Sequence, residues 1–327
     1  MSPTNEFVAA AFALLLVGSV LAARGGAGLS YRMGFPAIVI ALLVVPLALA
    51  APEFAVALHA NLNGQPAFAV GAIVGSNILN ILFVFSLAAL VKPLPTAPRV
   101  AFRDGLVFVL ASCAFYAVAR DGIITSSEGI WMLAALALSV ALTLAMDLRR
   151  PDLFSDEGSY IFAGRQQRHA FAFWLLVLGA ISVFAGAATL ISGATLLAKT
   201  FGYPQESAAL SIGALGVGLP ELFFAMIAVA RGRYTSAVSS VLGANTINIL
   251  GVIGLSATLR PIVVAPSFVL QDLPIMAASA VLIVPLLNAD WKLSRPKGAL
   301  LLAFYAAYLA FLGLRLGLIP TTVVAFN

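Results

Sequence analysis

"GSNILNIL" occupies residues 75–82, and "GANTINIL" occupies residues 243–250. Five of the eight letters agree, both asparagines among them, and the two stretches lie 168 positions apart. The same offset carries Gly34 to Gly202, Pro36 to Pro204, Pro52–Glu53 to Pro220–Glu221, Gly64 to Gly232, Pro93 to Pro261 and Asp104 to Asp272. An ungapped register held over about 70 residues indicates an internal duplication.

The chain has 327 residues, 62% of them hydrophobic and 9% charged. A soluble domain carries about 25% charged residues, so the composition places the chain in a membrane. A hydrocarbon core of about 30 Å takes roughly 20 helical residues. Apolar windows then give ten spans, at 6–23, 35–60, 66–91, 100–119, 129–146, 170–198, 203–230, 235–259, 268–288 and 298–316. The expected fold is an all-α polytopic membrane protein of about ten transmembrane helices in two inverted five-helix repeats. The first half covers residues 1–146, a polar linker 147–169, and the second half 170–327. The opening "MSPTNEFVAA" has no basic region ahead of its apolar run, so that run reads as a span and not as a cleaved signal. The single cysteine, Cys113, lies in an apolar run and reads as a small core residue.

Sorting Lys and Arg by side gives the orientation. Arg24, Arg32, Lys92, Arg99, Arg103, Arg149, Arg150, Arg165, Arg168, Arg231, Arg233, Lys292, Arg295 and Lys297 fall on one side; Arg120, Lys199, Arg260 and Arg315 fall on the other. The positive-inside rule puts the linker in the cytoplasm and both termini outside, in a plasma membrane or bacterial inner membrane. The net charge of +5 is thereby a topology signal and not a nucleic-acid face. The lipid bilayer and inorganic cations are the expected partners, and the sequence points to no protein partner. Five spans per half is an odd number, so the second copy enters the membrane upside down. Inverted repeats are a mark of secondary transporters, with the site between the repeats at the midplane.

Glu53 and Glu221 are the ionisable residues deepest in their spans, each directly after a proline. A carboxylate in hydrocarbon is costly, so both should face the protein interior or a water-filled cavity. Inversion should bring them together, where two negative charges repel and a divalent cation matches them. Pro46 and Pro52 should break the second span near Glu53, and "GALGVGLPE" (213–221) should do the same in the seventh. Broken spans free carbonyl oxygens, and carboxylates with carbonyls suit a hard cation such as Ca²⁺. Asn77 and Asn245 each stand 24 residues after their glutamate. Asn80 and Asn248 follow three residues later on the same helical face. An amide offers an acceptor to a cation and donors to a carboxylate; the alternative role is glue between helices. Ser76 lies beside Asn77, and its counterpart is Ala244. Asp104 and Asp272 lie near span ends and read as interfacial pairing or capping. His59 and His169 read as solvated residues near the membrane faces.

With these residues in place, "PEFAVALHANLNGQPAFAVGAIVGSNILNIL" and "PELFFAMIAVARGRYTSAVSSVLGANTINIL" resemble the two alpha-repeats of the calcium/cation antiporter superfamily, the sodium/calcium exchanger group. The resemblance covers essentially the whole chain. It implies exchange of Ca²⁺ for Na⁺ or H⁺ by alternating access, with Glu53 and Glu221 coordinating Ca²⁺. It also implies that Ser76, Asn77, Asn80, Asn245 and Asn248 contribute to cation sites. No resident cofactor is implied; the cations are transported. The family's G-T-S-x-P-E motif is altered here, to Ala48, Leu49, Ala50, Ala51, Pro52, Glu53 and to Gly216, Val217, Gly218, Leu219, Pro220, Glu221. The carbonyls of Ala48, Leu49, Gly216 and Val217 can stand in for threonine's carbonyl. The serine hydroxyls that help build Na⁺ sites have no such replacement, which leaves the counter-ion open between Na⁺ and H⁺. A proton-coupled antiporter for another divalent cation, or a diverged transporter, is the alternative. An intramembrane enzyme would need a nucleophile or a histidine-rich metal set, and neither accompanies the glutamates.

Overall fold

The computed structural model describes residues 3–33, 39, 43–147 and 169–315. Within them, nine helices are long and apolar enough to cross a membrane: Asn5–Ser30, Pro66–Val91, Pro98–Ala119, Ser126–Met146, His169–Phe201, Gln205–Ala230, Tyr234–Leu259, Phe268–Trp291 and Arg295–Arg315. These are spans 1, 3, 4, 5, 6, 7, 8, 9 and 10 of the expected ten. The second span starts outside the described residues; its described part is a helix Val45–Leu49, a turn at Ala50, and a helix Ala51–Leu62. Gly34, Pro36 and the body of the linker, with Arg149, Arg150, Arg165 and Arg168, also lie outside them.

The first helix runs to Arg32, well past the boundary expected at residue 23. Arg24 and three glycines argued for an end there. Packing overrides that propensity, because Gly25 sits against the backbone of Ala172 and Leu176 in the sixth span. The glycine is needed for that approach, since a Cβ at Gly25 would fall on the backbone nitrogen of Leu176. Spans 1 and 6 are held together throughout by small residues, as expected where lipid supplies no hydrophobic drive between helices.

The repeat is visible in the packing. A Cβ at Gly18 would lie 2.9 Å from Cγ2 of Val183, and a Cβ at Gly186 would lie 2.9 Å from Cγ of Leu15. Adding 168 to 18 and 15 gives 186 and 183, so the two contacts are one contact seen twice. Two hydrogen bonds join residues to their own copies: Ser182 Oγ donates to the Leu14 carbonyl at 2.7 Å, and Asn77 Nδ2 donates to the Asn245 carbonyl at 3.4 Å. A residue can touch its own copy only on the axis relating the copies. That axis therefore passes between spans 1 and 6 and between spans 3 and 8.

Four short strands join the spans in two pairs. β1 (Leu94–Pro95) pairs antiparallel with β4 (Lys292–Leu293), and β2 (Ile123–Ile124) with β3 (Ile262–Val263). Each pair takes one strand from each repeat. β1 follows span 3 and β4 follows span 9, while β2 follows span 4 and β3 follows span 8. Both pairs agree with strict alternation of the spans across the membrane, with β1 and β4 on the side rich in Lys and Arg.

Cys113 is exposed on the fourth span, not packed in the core. In a membrane helix the face toward lipid is as apolar as the face toward protein, so an apolar neighbourhood could not separate the two. On the sixth span, a Cβ at Gly179 would fall on the backbone of Ala22 and 2.7 Å from the Gly18 carbonyl. Gly179→Val should lower the melting temperature of the purified protein by the equivalent of at least ~1–3 kcal/mol. Ala185→Val, on the exposed face of the same span, should leave it unchanged.

Candidate ion site

The two glutamates arrive from opposite directions. Glu53 lies at the start of the helix Ala51–Leu62, just after the turn at Ala50. Glu221 lies inside a helix, Ala214–Ala230, that continues through Pro220. The expected break in the seventh span is absent at the proline; the irregularity lies earlier, in a π-turn at Ala209–Gly213. One missing N–H removes one helical hydrogen bond, and packing against neighbouring spans carries the helix across it. Pro52 and Pro220 still have no N–H to offer the carbonyls of Ala48 and Gly216, four residues before them. Leu49, Gly216 and Val217 are buried and Ala48 is half-buried. A Cβ at Gly216 would meet Leu190 and Phe12, so this position abuts the first and sixth spans.

Glu53 and Glu221 are essentially inaccessible, at 0% and 1% exposure. Their carboxyl groups lie within reach of each other. Around them Ser76, Asn77, Asn80, Asn245 and Asn248 are all completely buried. Ser76 Oγ donates to Glu53 Oε1 at 3.2 Å, and Asn248 Nδ2 stands 3.5 Å from the same oxygen. Asn248 Nδ2 also donates to Asn77 Oδ1 at 3.1 Å, and Asn80 Nδ2 donates to Asn245 Oδ1 at 2.9 Å. The amides are thus both glue between spans 3 and 8 and neighbours of a carboxylate. In both spans the helix loosens at the second asparagine, with π-turns at Asn80–Val84 and Ile247–Ile253. Such bulges are frequent at functional sites because they re-aim side chains and backbone groups.

These seven side chains are candidates that the sequence named, and the fold places them near one another. The sequence reading missed Met276 of the ninth span, whose sulfur takes the Asn77 amide at 3.7 Å. Nothing in an isolated apolar span marks that methionine. Gly218, already singled out within the altered motif, lies beside this set. A Cβ there would lie 3.6 Å from Ser76 Oγ and 3.7 Å from Asn80 Oδ1. The position that lacks the family's serine therefore borders the site directly.

The site offers oxygen. Among the described residues, Glu53 Oε2, both oxygens of Glu221, Asn80 Oδ1 and Asn248 Oδ1 are buried acceptors with no hydrogen-bond donor. Those five oxygens, with backbone carbonyls, are the hard donor set that Ca²⁺ prefers. The two halves are unequal: Glu53 receives Ser76, whose counterpart in the other repeat is Ala244, and Glu221 accepts no side-chain donor.

The weaker candidates lie elsewhere. Asp104 pairs with Arg103 Nε at 2.8 Å and accepts Ser239 Oγ at 2.7 Å. Asp272 is fully buried, paired with Arg315 at 2.8 Å, and Arg315 also stands 3.5 Å from Glu206. Both aspartates are paired as expected, Asp272 deeper than a span-end position suggested. His59 and His169 are exposed. Asn61, beside His59, is buried: it donates to the carbonyls of Ser256 and Arg260, tying the second span to the eighth.

Comparison with known proteins gives the family. The family model described as sodium/calcium exchanger protein matches residues 7–145 and 171–314, which is nearly all of both repeats. The chain belongs to the sodium/calcium exchanger family. Among its relatives in the family is inner membrane protein YrbG of Escherichia coli, 31% identical over 316 residues, covering 92% of this chain and 96% of that one. The putative antiporter CaxA of Alkalimonas amylolytica is 28% identical over 92% of this chain and 96% of its own. The sodium/calcium exchanger MaX1 of Methanosarcina acetivorans is 24% identical over 92% and 98%. A solved structure of the sodium-calcium exchanger NCX_Mj superposes with a TM-score of 0.68 at 22% identity, covering 95% of this chain and 98% of that one. This exchanger-family member is therefore a membrane transport protein of ten helices in two inverted repeats.

Replacing Asn80 by Leu should strand the buried Asn245 amide oxygen. The expected loss is about 1–3 kcal/mol, read as a lower melting temperature of the purified protein without added cations. Asn63→Ala, at the exposed end of the second span, should not change it.

Proposed function

We propose that this exchanger-family antiporter carries Ca²⁺ against H⁺ by alternating access at the Glu53–Glu221 site. The observation that supports it best is the unequal hydrogen bonding of two buried carboxylates within reach of each other. Two carboxylates have no donor between them, so their approach needs a cation or a proton. Ca²⁺ satisfies both charges at once. When it leaves, a proton on Glu221 can donate to Glu53 Oε2, while Ser76 and Asn248 hold Oε1. Protons and Ca²⁺ then compete for the same oxygens, which is the coupling an antiporter requires. Ala50, Gly218 and Ala244 remove three hydroxyl positions from the border of the site, which weakens it for Na⁺. The carbonyls of Ala48, Leu49, Gly216 and Val217 complete the proposed oxygen set.

Na⁺ as counter-ion is the second reading, favoured by the likeness to MaX1 and NCX_Mj. For orientation, we place the β1–β4 side in the cytoplasm and both termini outside, following the Lys and Arg count. The name of the Escherichia coli relative favours an inner membrane.

Everted membrane vesicles test the reading. Uptake of radioactive Ca²⁺ should follow an imposed pH gradient and be indifferent to Na⁺. Uptake driven by a Na⁺ gradient alone would replace H⁺ with Na⁺ in the scheme. Glu53→Gln and Glu221→Gln should each insert normally and lose uptake by at least ~100-fold, as expected when one of two charge ligands is removed. Wild-type uptake by both variants would remove the carboxylates from the mechanism.

A further inference from the structure

The four asparagine amides obey the repeat in part and break it in part. Two bonds cross between the repeats as copies of each other: Asn80 Nδ2 donates to Asn245 Oδ1 at 2.9 Å, and Asn248 Nδ2 donates to Asn77 Oδ1 at 3.1 Å. Two oxygens are left over as copies, Asn80 Oδ1 and Asn248 Oδ1, both buried and without a donor among the described residues. The remaining two groups differ. Asn77 Nδ2 reaches two acceptors, the Asn245 carbonyl at 3.4 Å and the Met276 sulfur at 3.7 Å. Its copy, Asn245 Nδ2, is buried and has no acceptor among the described residues.

One position accounts for the difference. Met276 lies on the ninth span, and 168 positions earlier the fourth span has Phe108. Both side chains are fully buried, and the fourth span packs against the eighth as the ninth packs against the third. A thioether sulfur is a weak acceptor. A phenyl ring offers no lone pair, so the amide on that side loses a partner. A buried N–H without an acceptor is rarer than an oxygen without a donor.

A bond between two primary amides can run with either polarity, because each amide carries both a donor and an acceptor. For Asn77 and Asn248 one polarity is closed. Turning the Asn77 amide over would set its oxygen against the Asn245 carbonyl and the Met276 sulfur. For Asn80 and Asn245 both polarities are open. Turning that pair over makes the Asn245 N–H the donor of the bond and puts the Asn80 N–H where its oxygen now stands. That oxygen faces the seventh span, where a Cβ at Gly218 would lie 3.7 Å from it. Glu221 stands three residues further along the same span, and neither of its oxygens receives a hydrogen bond.

We propose that Met276 is a positioning residue that holds the Asn77–Asn248 amides in one orientation, while the Asn80–Asn245 pair turns over as the ion comes and goes. With a cation bound, Asn80 presents its oxygen to the site. Once the cation has left, the pair is inverted and Asn80 presents an N–H toward the turn that carries Glu221. Asn248 stays beside Glu53 Oε1 throughout. One amide pair is therefore fixed and the other is a switch that suits both the loaded and the empty site. This inference rests on the antiport reading, which supplies the two occupancies.

The test uses the full chain. Leucine keeps the volume of methionine and removes its acceptor. In vesicles Met276→Leu should raise the KM for Ca²⁺ about fivefold, the worth of one net hydrogen bond, because Asn248 is then free to turn away from Glu53. At position 108 the comparison is Phe108→Met against Phe108→Leu, so that loss of the ring is common to both. The methionine gives Asn245 an acceptor and fixes the Asn80 oxygen toward the site. Its KM should lie about fivefold below that of the leucine variant, with a lower kcat as well. NMR of isotope-labelled asparagine side chains reads the amides directly. Between Ca²⁺-free and Ca²⁺-saturated protein the Asn245 signal should move and the Asn77 signal should hold, and in Met276→Leu both should move. A wild-type KM in Met276→Leu would overturn the proposal, as would an Asn245 signal that holds while Ca²⁺ binds. A protein that neither binds nor moves Ca²⁺ would sink the Ca²⁺ reading alone. Titration with Na⁺ or H⁺ would then decide the switch: a response of Asn245 with Asn77 unmoved upholds it, and no response to either ion overturns it.

Discussion

The buried carboxylate pair governs the rest of the design. Moving one carboxylate from water into an apolar interior costs several kcal/mol even after relaxation, and here two lie within reach of each other. The fold meets that cost with side chains from both repeats. Ser76 and Asn248 donate to one oxygen of Glu53, while Asn77, Asn80 and Asn245 link the two amide-bearing spans around the pair. No single repeat supplies this set. Asn248 comes from the second copy and serves the glutamate of the first, which is possible only because the copies cross.

Close approach of the spans follows from the same demand. Side chains this short reach one another only if the helices that carry them nearly touch. Gly75 against Leu210 and Ala214, and Gly218 beside Ser76 and Asn80, give the central spans that proximity. Spans 1 and 6 pack as closely along their own glycines, on the same axis. Their contact with each other is backbone-close, which makes the two spans one body.

Polar groups at the edges of the bundle are paired in a way that fixes neighbouring spans. Arg260 donates to the carbonyls of Asn61 and Leu62 while Asn61 returns a bond to the Arg260 carbonyl, closing the second span on the eighth. Arg315 joins Asp272 and Glu206 across the ninth and seventh spans. The repeat offset equated Asp104 with Asp272, yet their partners differ: Ser239 and Arg103 for one, Arg315 and Tyr308 for the other. Duplicated positions have acquired separate duties. The site itself shows the same drift in Ser76 against Ala244.

The sequence alone determined the membrane class, the span count, the duplication and its inversion, and it named as candidates seven side chains that the fold places near one another. Each is written in composition or in a fixed offset, and those survive without coordinates. Hydropathy cannot distinguish lipid from protein as the partner of an apolar face, so it misplaced Cys113 and was silent on Met276. Propensity cannot weigh a glycine against the neighbour it admits, so it ended the first helix early. It also broke the seventh span at Pro220, where packing keeps it whole. Only the tertiary structure decided which of two equal copies is bent, at Ala50 and not at Gly218. The two repeats share these key positions, and the choice between them is made by how the halves pack against each other.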